Sequence, residues 1–180
     1  MNLHEAYSKI IRELESGGRA LQRYSDSEVS WLATELYRLL DHVGDPDFEK
    51  VLCLIDHSAN THRQFEAPLL KALTKDLSPS LSVFILNCCR KHIIVERFKK
   101  GHRLEFGFLE ALKRLLYSSS PEVVEWTLRT IEECGSQGVY FLQEFDKIKP
   151  PPWKWFNQHQ RSVREIITML ERRWSRFEKP

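Results

Sequence analysis

The segment from Ser78 to Leu116, SPSLSVFILNCCRKHIIVERFKKGHRLEFGFLEALKRLL, holds two apolar stretches separated by a cluster of cations. Leu81, Val83, Phe84, Ile85, Leu86, Cys88 and Cys89 form the first. That stripe is too wide for a helix with one wet face, so it reads as a helix buried on most sides. Ser78-Pro79 supplies its start, an N-cap oxygen followed by a proline at the first helical position, where no N–H is needed. Phe108, Leu109, Leu112, Leu115 and Leu116 recur at the three-and-four spacing of a second helix. Between them lie Arg90, Lys91, Arg97, Lys99, Lys100 and Arg103, opposed there only by Glu96 and accompanied by His92 and His102. The apolar pattern either runs on through His92, Ile93, Ile94, Val95 and Phe98 or breaks there, because a β-branched run lowers helix propensity. Gly101 ends it in both cases, and the cations are expected to form a connector between two helices.

Similar units lie on both sides. Upstream, Leu3, Ala6, Tyr7, Ile10, Ile11 and Leu14 share one helical face and Gly17-Gly18 closes the helix. Ser25 with Glu28 makes a capping box before Val29, Leu32, Ala33, Leu36, Leu39, Leu40 and Val43, and Gly44 is the expected stop. Asp45-Pro46 then opens a helix through Phe48, Val51, Leu52 and Ile55. Phe65, Leu69, Leu70, Leu73 and Leu77 carry another, with Pro68 expected where regular helix begins. Downstream, Ser120-Pro121 precedes Val124, Leu128, Ile131 and Cys134, with Gly135 as C-cap and a further stripe of Phe141, Leu142, Phe145 and Ile148. Pro150-Pro151-Pro152 is expected to be extended polyproline leading to Trp153, Trp155 and Phe156. A last amphipathic helix, 157–178, carries Val163, Ile166, Ile167, Leu170, Trp174 and Phe177.

Pro46, Pro79 and Pro121 each follow an N-cap residue type and each open a helix with a second apolar helix after it. Leu70-Lys71-Ala72-Leu73, Leu109-Glu110-Ala111-Leu112 and Leu142-Gln143-Glu144-Phe145 align loosely as the inner helices. The pattern resembles the HEAT and armadillo class of helical repeats, whose units are two or three helices of about 40 to 47 residues. The resemblance covers roughly Gly44 to Ile148, and no Asp-x-x-x-Arg ladder accompanies it. It implies an all-α fold, a short right-handed α-solenoid of about eight to ten helices. An irregular helical bundle is the alternative.

At 180 residues the chain is expected to be one helical domain. Its parts would be N-terminal helices or a cap over 1–44, repeats over 45–148, a Pro/Trp turn over 149–156 and a capping helix over 157–178. An apolar fraction of 42% with 29% charged residues is that of a chain that folds. No uncharged apolar run reaches the length of a membrane span, and Glu5, Arg12, Glu13 and Glu15 are unlike a leader segment. The expectation is neither secretion nor membrane insertion. Cys53, Cys88, Cys89 and Cys134 all sit in apolar helical patterns and read as reduced core thiols, which fits a cytoplasmic location. The net charge of +2 is uneven: residues 1–80 hold 9 Lys+Arg against 13 Asp+Glu, and the remainder holds 18 against 12.

Catalytic patterns are absent. His4-Glu5 lacks the second histidine a zinc-protease helix needs, because position 8 is Ser8. The adjacent Cys88-Cys89 pair has no zinc-ligand spacing, and no Gly-x-Ser-x-Gly elbow occurs. Cys53, Asp56 and His57 are close in sequence, and their ordinary reading is a buried thiol with polar helix-end residues. Gly17-Gly18 and the glycines from Gly135 to Gly138 lack the lysine and strand of a phosphate-cradling loop. No enzyme, metal or cofactor is expected. Three readings of the cationic segment stay open: a solvated loop, a site for an acidic protein or peptide, or a nucleic-acid contact. Trp153 and Trp155 are either partner anchors or the cap of the last repeat. The function expected is a non-catalytic protein- or peptide-binding scaffold using Arg90, Lys91, Arg97, Lys99, Lys100, Arg103, Trp153 and Trp155. Nucleic-acid binding, as in the helical-repeat DNA glycosylases that the resemblance brings in, is the alternative, and self-association the third.

Overall fold

The computed structural model describes residues 1–151, 153 and 157–175. Among them the protein is all-α. The helices are α1 (Leu3–Glu15), α2 (Asp26–Leu39), α3 (Pro46–Asp56), α4 (Glu66–Ala72), α5 (Pro79–Cys89), α6 (Glu96–Lys99), α7 (Phe106–Leu115), α8 (Pro121–Glu133), α9 (Leu142–Ile148) and α10 (Gln158–Trp174). A π-helical stretch, Arg90–Val95, joins α5 to α6, and 3₁₀ turns occupy Arg63–Phe65 and Gly135–Phe141. No helix among the described residues is long and apolar enough to cross a membrane.

Local chemistry sets these boundaries. Ser25 and Glu28 form both halves of the capping box: the Ser25 N–H donates to Glu28 Oε2 at 2.9 Å, and the Glu28 N–H donates to Ser25 Oγ at 3.4 Å. Pro46, Pro79 and Pro121 each stand first in their helix. Asp45 Oδ1 accepts from the Asp47 N–H at 2.9 Å and Ser78 Oγ from the Leu81 N–H at 3.3 Å, whereas Ser120 makes no side-chain cap. Gly17, beyond α1, adopts φ +74°, the left-handed conformation that lets the chain leave a helix without a Cβ clash.

Three expectations are corrected. The second helix stops at Leu39, and residues 40–45 turn toward Asp45 before Gly44 could act as the stop. Leu77 lies beyond α4, which begins at Glu66 and carries Pro68 inside its first turn. The cationic segment is no connector loop: residues 79–99 run as one helix with the π stretch in its middle. The run Arg90-Lys91-His92-Ile93-Ile94-Val95 keeps helical backbone because His92, Ile93 and Ile94 are all buried, and their burial outweighs the weak propensity of β-branched residues.

The chain packs as two compact units, Met1–Leu77 with Asn87–His102 and Ser78–Leu86 with the residues from Arg103 onward. In the first, α1 and α2 pack on α3. That helix buries Phe48, Val51, Leu52, Cys53, Leu54 and Ile55. In the second, α8 packs on α7, on α10 and on the Gly135–Phe141 turns. Phe145 and Trp174 stack with centroids 6.3 Å apart. Gly138 is buried against that tryptophan, and a Cβ there would clash with Trp174, 2.2 Å from Cη2, and lie 3.1 Å from the Ile131 carbonyl oxygen. The glycine is thus a packing requirement. Gly138→Ala is expected to lower stability by about 2 kcal/mol through overpacking, read as a lower urea midpoint, and an unchanged midpoint would show that Trp174 can shift.

Candidate partner-binding surfaces

The end of α3 determines what the cations of the central segment do. A helix leaves its last carbonyls without intrahelical donors, and they carry the negative end of the macrodipole. Here Lys91 Nζ donates to the Asp56 carbonyl at 2.6 Å and also to the Ser58 carbonyl. His92 Nε2 donates to the Ile55 carbonyl at 2.9 Å while its Nδ1 accepts from the His62 N–H at 3.1 Å. These two bonds hold the ring as the neutral Nε2–H tautomer. Burial pushes the His92 pKa down to about 4, and it also lowers that of Lys91. Phe65 meets the His92 ring edge-on at 4.8 Å.

Arg97 is held in the same way. Its Nε donates to Glu66 Oε1 at 2.8 Å, and Nη2 reaches the same oxygen. Glu66 is buried, so this pair is shielded from water. Lys100 sits 2.5 Å from Glu96, which also accepts from Thr61 Oγ1. Burial works against the Glu96 charge, yet the hydrogen bonds from Lys100 and Thr61 hold its carboxyl below the usual range. Arg90 Nη1 reaches Asn87 Oδ1 at 3.5 Å. Lys99 and Arg103 are exposed. The cations from Arg90 to Lys100 therefore belong to the first unit, where Lys91 and Arg97 join the ends of α3 and α4 to the helical run, while Arg103 and Trp153 belong to the second. The Thr61–His62 turn is tied to the same run through Glu96 and His92. Trp153 is 76% exposed, and Trp155 lies outside the described residues.

The Cys53, Asp56 and His57 grouping has no catalytic geometry. His57 Nδ1 lies 2.9 Å from the Cys53 carbonyl oxygen, to which it donates, and 3.7 Å from Cys53 Sγ. The ring nitrogen nearest the thiol is thus occupied, and burial pushes the Cys53 pKa up to about 11, away from the thiolate a nucleophile requires. Among the described residues no group of three His, Cys, Asp or Glu side chains could hold a metal ion.

Two surfaces of the second unit combine exposed side chains with polar groups held in place. The first runs along α7 at the spacing Phe106, Glu110, Lys113, Tyr117, opposite the buried stripe of Phe108, Leu109 and Leu112. Phe106 is 65% exposed and meets Tyr140 edge-on at 5.8 Å. The Tyr140 hydroxyl donates to Glu110, and Lys113 Nζ lies 5.6 Å from the Tyr140 ring centroid. Lys113 is also 3.0 Å from Glu144, which accepts from the hydroxyl of the 54% exposed Tyr117. Hydrogen bonds from Tyr117, Lys113 and Lys147 hold the Glu144 carboxyl down to about 2. Two of the three exposed aromatic rings, those of Tyr117 and Tyr140, are thus held through their hydroxyls, and Phe106 packs edge-on against the second.

The second surface is a cleft of about 640 Å³ along α10. Arg161, Arg164, Arg172 and Arg173 line it, with Glu165 as the carboxylate among its described residues. Met169, Thr168 and Pro151 supply the less polar wall. Arg164 donates to the Pro150 carbonyl at 2.7 Å and Arg173 to Glu132 at 2.9 Å. Neither surface was singled out from the sequence. The available signal was a polar or aromatic residue recurring at i, i+4 and i+7 on the face opposite each apolar stripe. Comparisons with protein-family models, with curated proteins and with solved structures found no match.

Arg97→Met is expected to lower stability by about 3 kcal/mol, because it leaves Glu66 buried without its cation; a urea midpoint like that of the wild type would return Arg97 to the pool of surface charges. The low His92 pKa means that the unfolded chain binds a proton at higher pH than the folded one. Its contribution to stability is therefore complete above about pH 6.5 and is lost as pH falls toward 4, amounting to roughly 2 kcal/mol at pH 5. Urea titrations at pH 7 and pH 5 should show this loss, and His92→Gln should flatten it.

Proposed function

We propose that the protein is a non-catalytic protein-binding module, built from helix pairs of the HEAT and armadillo kind, with the aromatic face of α7 as its contact surface. The repeat reading is supported by the recurrence of the same start, an N-cap type followed by proline, at α3, α5 and α8. The observation that carries the binding reading is the state of Phe106, Tyr117 and Tyr140. Large aromatic rings held out in water are unfavourable unless covered by something else, and they are the residues that dominate interface energies. Fixing Tyr117 and Tyr140 through their hydroxyls lowers the ordering cost a partner would otherwise meet.

The chemistry of the interior agrees with a binder. The buried thiols have their pKa values raised by burial, the buried His92 is committed to two hydrogen bonds, and the buried Glu66, Glu96 and Glu144 each have cationic partners.

The test is quantitative affinity capture from extracts of the source cells with the wild type and a Phe106→Ala/Tyr140→Ala variant of matched thermal stability. A protein recovered saturably by the wild type and reduced at least tenfold by the variant is the expected result, since an aromatic anchor is worth about 2 kcal/mol or more. Equal recovery by both would remove the α7 face from the account. A wild type that sediments as a dimer, with the variant a monomer, would make the partner a second copy of the chain.

A further inference from the structure

The α10 cleft has a charge character of its own. We infer that it binds an acidic, amphipathic peptide segment laid along α10. This rests on the reading of the protein as a binding module, but on a surface separate from the α7 face. Four guanidinium groups, those of Arg161, Arg164, Arg172 and Arg173, line the cleft, with Glu165 as the one carboxylate among the described lining residues. Each guanidinium has five N–H donors. The bonds of Arg164 to the Pro150 carbonyl and of Arg173 to Glu132 leave donors over on both, and Arg172 is exposed. Such groups pair with carboxylates in strong, charge-assisted, often forked hydrogen bonds.

The rest of the lining selects the kind of anion. Met169 and Pro151, with the aliphatic stems of the arginines, offer an apolar floor between the charges. A peptide carrying one apolar residue per helical turn and carboxylates beside it covers both parts. A sugar–phosphate chain has nothing to place on that floor, and Glu165 would repel it. The lining residues from Gln160 to Arg173 span roughly 20 Å of helix axis, enough for about three to four turns of a helical peptide. The charge of the whole chain, +2, points the same way, since a nucleic-acid binder is ordinarily far more basic.

The experiment is fluorescence anisotropy with the full chain and a fluorescein-labelled 14-residue peptide, Leu on one helical face and Glu on the other positions. Probes for comparison are its Lys-for-Glu counterpart and labelled 20-nucleotide single-stranded and duplex DNA. Saturable binding of the acidic peptide that weakens with added salt is expected, together with at least a tenfold loss in Arg172→Glu and in Arg161→Glu. Lys99→Glu, a charge reversal in the first unit, should bind like the wild type. Phe106→Ala/Tyr140→Ala should also bind normally, so that loss of the α7 reading and loss of this one can be told apart. The inference is overturned by absence of peptide binding at low salt, by equal binding of the Lys-for-Glu peptide, by equal losses in Lys99→Glu and Arg172→Glu, or by tighter binding of either DNA than of the peptide.

Discussion

The end of a buried helix must place its last carbonyls against donors, and α3 meets this need with residues more than thirty positions away. Lys91 and His92 close the carbonyls of Ile55, Asp56 and Ser58. Both donors sit in the π-helical stretch Arg90–Val95, so the helical run 79–99, the neutral state of His92 and the position of the His62 turn are consequences of the same requirement. Without it, a helix that buries five residues in succession, Val51 to Ile55, would lose the Lys91 donor to its Asp56 carbonyl and leave the Ile55 carbonyl with backbone donors such as the Ser58 N–H.

Much of the fold was legible because local chemistry and global packing agree. Pro46, Pro79 and Pro121 open helices, Ser25 and Glu28 build the capping box, and Gly17 leaves α1 with positive φ. The role of the cationic segment is not legible in the sequence, for a definite reason. A lysine count gives no information on whether an ammonium group meets water or a carbonyl, and the partners of Lys91 and Arg97 lie 31 to 35 residues upstream. The β-branched run Ile93-Ile94-Val95 leaves continuation and a break both open in the sequence, and burial of Ile93 and Ile94 decides for continuation. Gly44 failed as a stop because the chain had already turned after Leu39.

The candidate surfaces were hidden for the opposite reason. Phe106 and Tyr117 look like extra members of the stripe through Phe108, Leu109 and Leu112, and only the direction of each Cβ separates the buried face from the exposed one. Similarly, the arginines of α10 read as the solvated side of an amphipathic helix until Pro151 and Met169 are found beside them lining one cleft. In both cases function would lie on the face that core-seeking periodicity discards.

The interleaving of the two units along the chain has a consequence for synthesis. Residues 1–77 emerge from the ribosome carrying α3 but not the donors for its end, and a stretch assigned to the other unit, Ser78–Leu86, must pass before Asn87–His102 arrives. The first unit therefore cannot finish folding as an autonomous N-terminal piece. It waits for a return visit of the chain, and a nascent polypeptide stalled near Leu77 would present the carbonyl end of α3 to solvent or to chaperones.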